Sequence, residues 1–74
     1  MSKEHLVHMA NDIADFFAAE PDREVAIAGI ADHIRRFWDP RMRRQLDEHL
    51  LAGGEGLQAL ALAAAQQLAS AGKH

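Results

Sequence analysis

Asp39-Pro40 is the dipeptide that most restricts what this chain can become. Proline disfavours helical geometry at the residue before it, so a helix arriving from the N-terminal side must stop before Asp39. An Asp cap followed by Pro at the first helical position is also a strong helix start. A stop and a start therefore stand back to back, with no room for a loop between them. The flanking run, Phe37-Trp38-Asp39-Pro40-Arg41-Met42-Arg43-Arg44, carries the only tryptophan of the 74 residues.

The segments on either side have helical periodicity. The first helix is predicted over Lys3–Ala19, with Ser2 as N-cap and Glu4 in the first turn. Leu6, Met9, Ala10, Ile13, Phe16 and Phe17 form its apolar stripe, and Val7 and Ala14 widen one flank. His8, Asn11, Asp12 and Asp15 fill the wet face. Glu20-Pro21-Asp22 breaks the pattern, and Asp22 caps a second helix predicted over Arg23–Trp38. Its stripe is Ile27, Ile30, Ala31, Ile34, Phe37 and Trp38, which is the first stripe shifted by twenty-one residues. Internal duplication gives such a pattern, and so does convergence of two amphipathic helices on one core. Gly29, placed on the outer side, is either tolerated slack or a point of close approach by another backbone.

A third helix is predicted from Pro40 to about Ala52, with Met42, Leu46, His49 and Leu50 facing inward. Arg43 and Asp47, and Arg44 and Glu48, stand at i,i+4 on its outside; the base comes first, which is the weaker order. Gly53-Gly54 ends this helix through glycine's access to positive φ. A fourth helix is predicted over Leu57–Ser70, with Leu57, Leu60, Ala61, Ala64 and Leu68 inward. Its outer face is Gln, Ala and Leu62, uncharged, so it is either a high-propensity helix with little packing or a face that a partner covers. Fraying is expected from Ala71 on. The expected architecture is all-α: a small bundle of about four short helices joined by tight turns, in a single domain over residues 1–74.

A domain this small buries only about 60% of the surface its unfolded chain exposes, so it is marginal alone. No cysteine is present to staple it or to ligate a metal as thiolate, which leaves association as the remedy. The N-terminus lacks the apolar core of a signal peptide, and no apolar run has the length of a membrane span; the expectation is a cytoplasmic chain with no membrane partner.

Charge is polarised along the sequence. Arg35, Arg36, Arg41, Arg43 and Arg44 are five of the eight cations and fall within ten residues, while ten of the eleven acids lie elsewhere. The second helix, the tight turn and the third helix superficially resemble a helix-turn-helix, with Arg41, Arg43 and Arg44 facing phosphates. The net charge of -3 and the early return of acid at Asp47 and Glu48 argue against a nucleic-acid partner. A solvated cationic face is the bland alternative. A protein-docking face fits better, because arginine offers planar multidentate hydrogen bonds, and Arg and Trp are enriched at the energetic centres of interfaces.

Catalytic chemistry has little to work with. There is no Cys or Thr, and the only serines, Ser2 and Ser70, lie near the ends. Gly53-Gly54-Glu55-Gly56 has neither a preceding strand nor a following Lys, so it is not a phosphate loop. His5 and His8 stand one turn apart and His33 and His49 could join through folding, but the His-Glu-x-x-His arrangement of zinc hydrolases is absent. His49 is expected to be a hydrogen-bonded, half-buried residue, and His33 to sit at the stripe edge. No catalytic, cofactor-binding or metal residue is assigned.

Several segments together resemble the delta subunit of the soluble, molybdenum-dependent, NAD-linked formate dehydrogenases. They are Val7 through Phe17, Pro21-Asp22-Arg23, Gly29 through Arg44, and His49 through Leu57, with His33-Ile34-Arg35-Arg36-Phe37-Trp38-Asp39-Pro40-Arg41-Met42-Arg43 the most specific. The likeness covers residues 6–57; the Ala-rich helix over 57–71 departs from it. The resemblance implies a non-catalytic accessory subunit that docks on the molybdenum-containing subunit and supports stability, assembly or cofactor maturation. It also implies that the complex holds the molybdenum cofactor, iron-sulfur clusters, FMN and NAD, and that this chain binds none of them. The docking residues expected from the charge cluster are Arg35, Arg36, Arg41, Arg43 and Arg44, with Trp38, Asp39 and Pro40 setting the corner. The alternative is a free-standing helical homodimer acting as a chaperone or regulator in enzyme maturation, for which the uncharged fourth helix would supply the self-association face.

Overall fold

The computed structural model describes residues 2–71. Three of its four helices begin where a side-chain oxygen replaces a missing backbone acceptor. Helix α1 (Lys3–Phe17) starts with Ser2 Oγ accepting from the His5 amide at 3.1 Å. Helix α2 (Arg23–Phe37) starts with Asp22 Oδ1 accepting from Glu24 N at 3.0 Å and Val25 N at 3.4 Å. Helix α3 (Pro40–Leu51) starts with Asp39 Oδ1 accepting from Met42 N at 2.8 Å, with Pro40 in the first turn. Each cap residue is extended, as the capping geometry requires.

Helix α4 (Ala59–Ala71) begins two residues later than the sequence suggests and includes Ala71, where fraying was expected; the rest of that expectation concerns residues 72–74, outside the described part. All regular structure among the described residues is helical. The Cα radius of gyration is 11.1 Å, close to the roughly 11 Å of an independently folded chain of this length, so the helices fold back on one another.

Leu6, Ala10 and Ala14 of α1, Ile27, Ile30, Ala31 and Ile34 of α2, Trp38, Leu46, and Ala61, Ala64 and Ala65 of α4 form one buried cluster. The most extensive helix pairing is α2 with α4. The Ala-rich helix is therefore not loosely attached. Its buried residues are all alanines, and small side chains let the axes of two packed helices approach closely. Leu62, expected to face outward, is half-buried instead.

Two aromatic positions depart from expectation. Phe16 is 77% exposed and Phe37 72% exposed, although both were assigned to inner stripes. The buried line of α1 is Leu6, Ala10 and Ala14, and Phe16 lies two positions beyond Ala14, roughly 200° further around the helix. At Phe37 the helix ends. Trp38 takes an extended conformation (φ -87°, ψ 136°) and is 5% exposed, so the break turns Trp38 inward and leaves Phe37 outside. The twenty-one-residue correspondence thus persists with a common exception, since Phe16 and Phe37 both point to solvent.

Gly29 is not on an open outer face. A Cβ there would lie 2.5 Å from Cε1 of Phe17, so the missing side chain gives the Phe17 ring its place. At the end of α3, Gly54 N donates to His49 O at 2.9 Å and Gly53 N to Leu50 O at 3.0 Å, the paired bonds of a Schellman cap. Gly54 has φ +67° and is buried beneath Leu62 of α4, with only 2.8 Å between its would-be Cβ and Leu62 Cδ1.

Candidate docking surface

The Asp39-Pro40 corner divides the arginine cluster into two groups with different electrostatics. Arg35 and Arg36 occupy the last turn of α2, where cations also complement the helix dipole. Both reach back to one carboxylate: Arg35 Nη2 lies 2.5 Å from Asp32 Oδ1, and Arg36 Nε lies 3.0 Å from Asp32 Oδ2. These side chains are 60% and 69% exposed and Asp32 39%, so solvent screens the pairs and each adds little stability. Their charge is nonetheless partly answered within the chain.

The second group sits at the start of α3. Arg41 and Arg44 are exposed and Arg43 is half-buried. None of the three lies within ion-pair distance of a described acid, and the expected pairs Arg43–Asp47 and Arg44–Glu48 do not form. The base-first order made those pairs weak in advance. Arg43 is also committed inward: its Nε is out of contact with solvent and has no hydrogen-bond acceptor among the described residues.

The other members of the expected docking set define the corner itself. Asp39 and Pro40 are exposed and Trp38 is buried beneath them. Phe37 is exposed beside the corner, its ring centroid 4.7 Å from that of His33.

The histidines are dispersed. His8 Nε2 lies 3.6 Å from Asp12 Oδ2 on the exposed side of α1, and the His33 ring lies tilted against that of Phe37. His49 is 7% exposed, with Nε2 2.7 Å from the carbonyl oxygen of Glu55. A carbonyl only accepts, so Nε2 carries the proton. Among the described residues no group of three or more His, Cys, Asp or Glu is placed to hold a metal ion, and no helix is long and apolar enough to cross a membrane.

One structural residue escaped the sequence analysis. Asn11, assigned to the wet face of α1, is half-buried and ties down the linker after α3: Nδ2 donates to Gly56 O at 2.9 Å and Oδ1 accepts from Gln58 N at 2.9 Å. Its only local signal is a residue of poor helix propensity in mid-helix, away from any cap.

The family model described as "NADH-dependant formate dehydrogenase delta subunit FdsD" matches residues 5–65. The chain belongs to the FdsD family. The match covers most of α1, all of α2 and α3 and the first half of α4, so it extends past the point near Leu57 where the likeness was expected to end. It therefore includes the capped corner, both arginine groups, and both ends of the Asn11 clamp. FdsD is a delta subunit of an NAD-dependent formate dehydrogenase, and the four-helix architecture described above is the form that the sequence takes here. No curated protein and no solved structure matches the chain.

Proposed function

We propose that this FdsD chain is a non-catalytic subunit that docks on the molybdenum-containing, formate-oxidising subunit and supports stability, assembly or cofactor maturation of the complex. The observation that carries this reading is the unanswered charge at the start of α3. Arg41, Arg43 and Arg44 stand together at a rigid corner without an ion partner among the described residues, in a family whose described role is that of a subunit. Buried and half-buried arginines are normally matched by carboxylates, and a partner surface can supply them.

The corner suits docking because little in it needs to move. Trp38 is held in the core, Asp39 is bonded to Met42 N, and Pro40 has a fixed φ. A preorganised surface loses less conformational entropy on binding. Arg35, Arg36, Arg41, Arg43 and Arg44 supply the polar contacts in this reading, with Trp38, Asp39 and Pro40 as the frame. The molybdenum cofactor, iron-sulfur clusters, FMN and NAD belong to other subunits, and the chain works in the cytoplasm.

The test is co-purification. The tagged chain, expressed with the remaining formate dehydrogenase subunits, retains the formate-oxidising subunit, and reversing Arg41 and Arg44 to Glu releases it at moderate salt. Undiminished retention by the double reversal at high salt removes the arginine docking claim.

A further inference from the structure

The two arginine groups are not equivalent, and the difference selects a face. An open cleft of about 280 Å³ lies between α3 and α4, lined by Arg43, Arg44, Asp47, Leu46, Ala65 and Leu68. Its floor is apolar: Leu46 and Ala65 are buried and Leu68 is half-buried. Its polar lining carries two guanidinium groups against one carboxylate, and that carboxylate pairs with neither of them. Arg43 Nε is removed from water and has no acceptor among the described residues, an arrangement that native structures rarely leave unanswered. The cleft also explains a use for α4 beyond core packing, since α4 forms one of its walls.

We propose that this cleft is the docking site for an acidic, partly apolar segment of the formate dehydrogenase complex, a Glu or Asp carboxylate of that segment accepting hydrogen bonds from Arg43 and Arg44; the inference rests on the docking reading above. The chemistry of the occupant follows from the lining. A carboxylate matches the planar fork of a guanidinium, and apolar neighbours of that acid cover Leu68 and Ala65. A basic segment would add to the surplus positive charge. A purely apolar one would cover the two guanidinium groups without offering them an acceptor. Arg35 and Arg36, which already share Asp32, are peripheral to this contact.

The inference makes an unusual demand on Arg43. Arg43 has no ion partner among the described residues and its Nε is removed from water, so replacing it with a hydrophobic residue leaves folding intact while removing the docking contact. The experiment co-expresses the full-length tagged chain with the other formate dehydrogenase subunits. It compares Arg43→Leu, Arg43→Lys and the pair Arg35→Glu with Arg36→Glu, and it measures both the amount of complex retained and the thermal midpoint of each purified chain. Arg43→Leu is expected to keep or raise the midpoint and to lower retention about tenfold or more, the scale of losing a hydrogen bond between charged groups. Arg43→Lys retains an intermediate amount, because the charge survives and the fork does not. The Arg35/Arg36 reversal lowers retention less than Arg43→Leu does, because Asp32 already answers part of that charge.

Retention of Arg43→Leu at the wild-type level overturns the cleft assignment. If the Arg35/Arg36 reversal abolishes retention at the same time, the docking reading stands and the face moves to α2. A wild-type chain that retains no formate dehydrogenase subunit removes the docking reading and the cleft's occupant together. A photo-crosslinker placed at Asp47 identifies the occupant: a crosslinked peptide of the complex containing Asp or Glu supports the proposal, whereas a peptide without an acid, or a second copy of this chain, contradicts it.

Discussion

Asn11 donates from Nδ2 to the carbonyl oxygen of Gly56 at 2.9 Å, across 45 positions of sequence, while its Oδ1 accepts from Gln58 N. Only an amide side chain offers a donor and an acceptor side by side in this way. The linker between α3 and α4 contains three glycines at positive φ and has little intrinsic order. Asn11 holds it from the α1 side and His49 holds it through Glu55 O, so the direction in which α4 leaves is set by two side chains.

The first prediction tests that clamp by chemistry rather than by size. Asn11→Asp is nearly isosteric but turns a donor into an acceptor facing the Gly56 carbonyl. It should destabilise the chain by about 1–2 kcal/mol, at least as much as Asn11→Ala, the range for a broken and unmatched hydrogen bond. Urea denaturation of the two variants checks the order. If Asn11→Asp is as stable as the native chain, the clamp does not hold the linker.

Gly29 and Phe17 should behave as one unit. Alanine is favoured over glycine in a helix by about 1 kcal/mol, but the Phe17 ring occupies the space its Cβ needs. Overpacking costs about 1–3 kcal/mol, so Gly29→Ala alone should be neutral to destabilising. Combined with Phe17→Leu, the same change should recover the propensity gain. A double-mutant cycle reads the coupling directly, and additivity of the two changes would show that they do not share the space.

Neighbouring aromatics should give opposite results. Trp38→Ala empties a buried slot and should cost about 3–5 kcal/mol, comparable to much of the stability of a domain this small. Phe37→Ala removes a ring that is mostly in solvent and should stay within about 0.5 kcal/mol. Phe16→Ala should match Phe37→Ala. Thermal melts of the three variants suffice, and a large loss at Phe37 would contradict the inward turn at Trp38.

What could be seen in the sequence was mostly local. Ser2, Asp22 and Asp39 act through the amides of the next few residues, so their caps and the Asp39-Pro40 corner follow from residue type and spacing alone. The same holds for Gly53-Gly54, and the corner run also carried the family resemblance. The features that escaped are long-range. Asn11 looked solvent-facing because its partners lie some forty-five residues away. At Gly29 slack and close approach of a backbone were equally open, because the Phe17 ring that fills the space comes from another helix. Phe16 and Phe37 were assigned inward because an apolar stripe records helical period but not where a neighbouring helix ends. The division of the arginine cluster was different: Asp32 stands at i,i+3 and i,i+4 to Arg35 and Arg36, a local signal that the uniform reading of the cluster passed over, whereas the lack of an ion partner for the arginines of α3 among the described residues needed the fold.

The central claim is that this chain is a docked constituent of a formate dehydrogenase, and native mass spectrometry tests it most directly. The complex would be purified by a tag on the formate-oxidising subunit, from cells making all subunits, and its mass measured before and after mild dissociation. The account predicts release of an 8.2 kDa chain from the complex, with its occupancy lowered by Arg43→Leu. A complete, active complex that never contains the chain, with the chain recovered only as a free monomer or a homodimer, would contradict it.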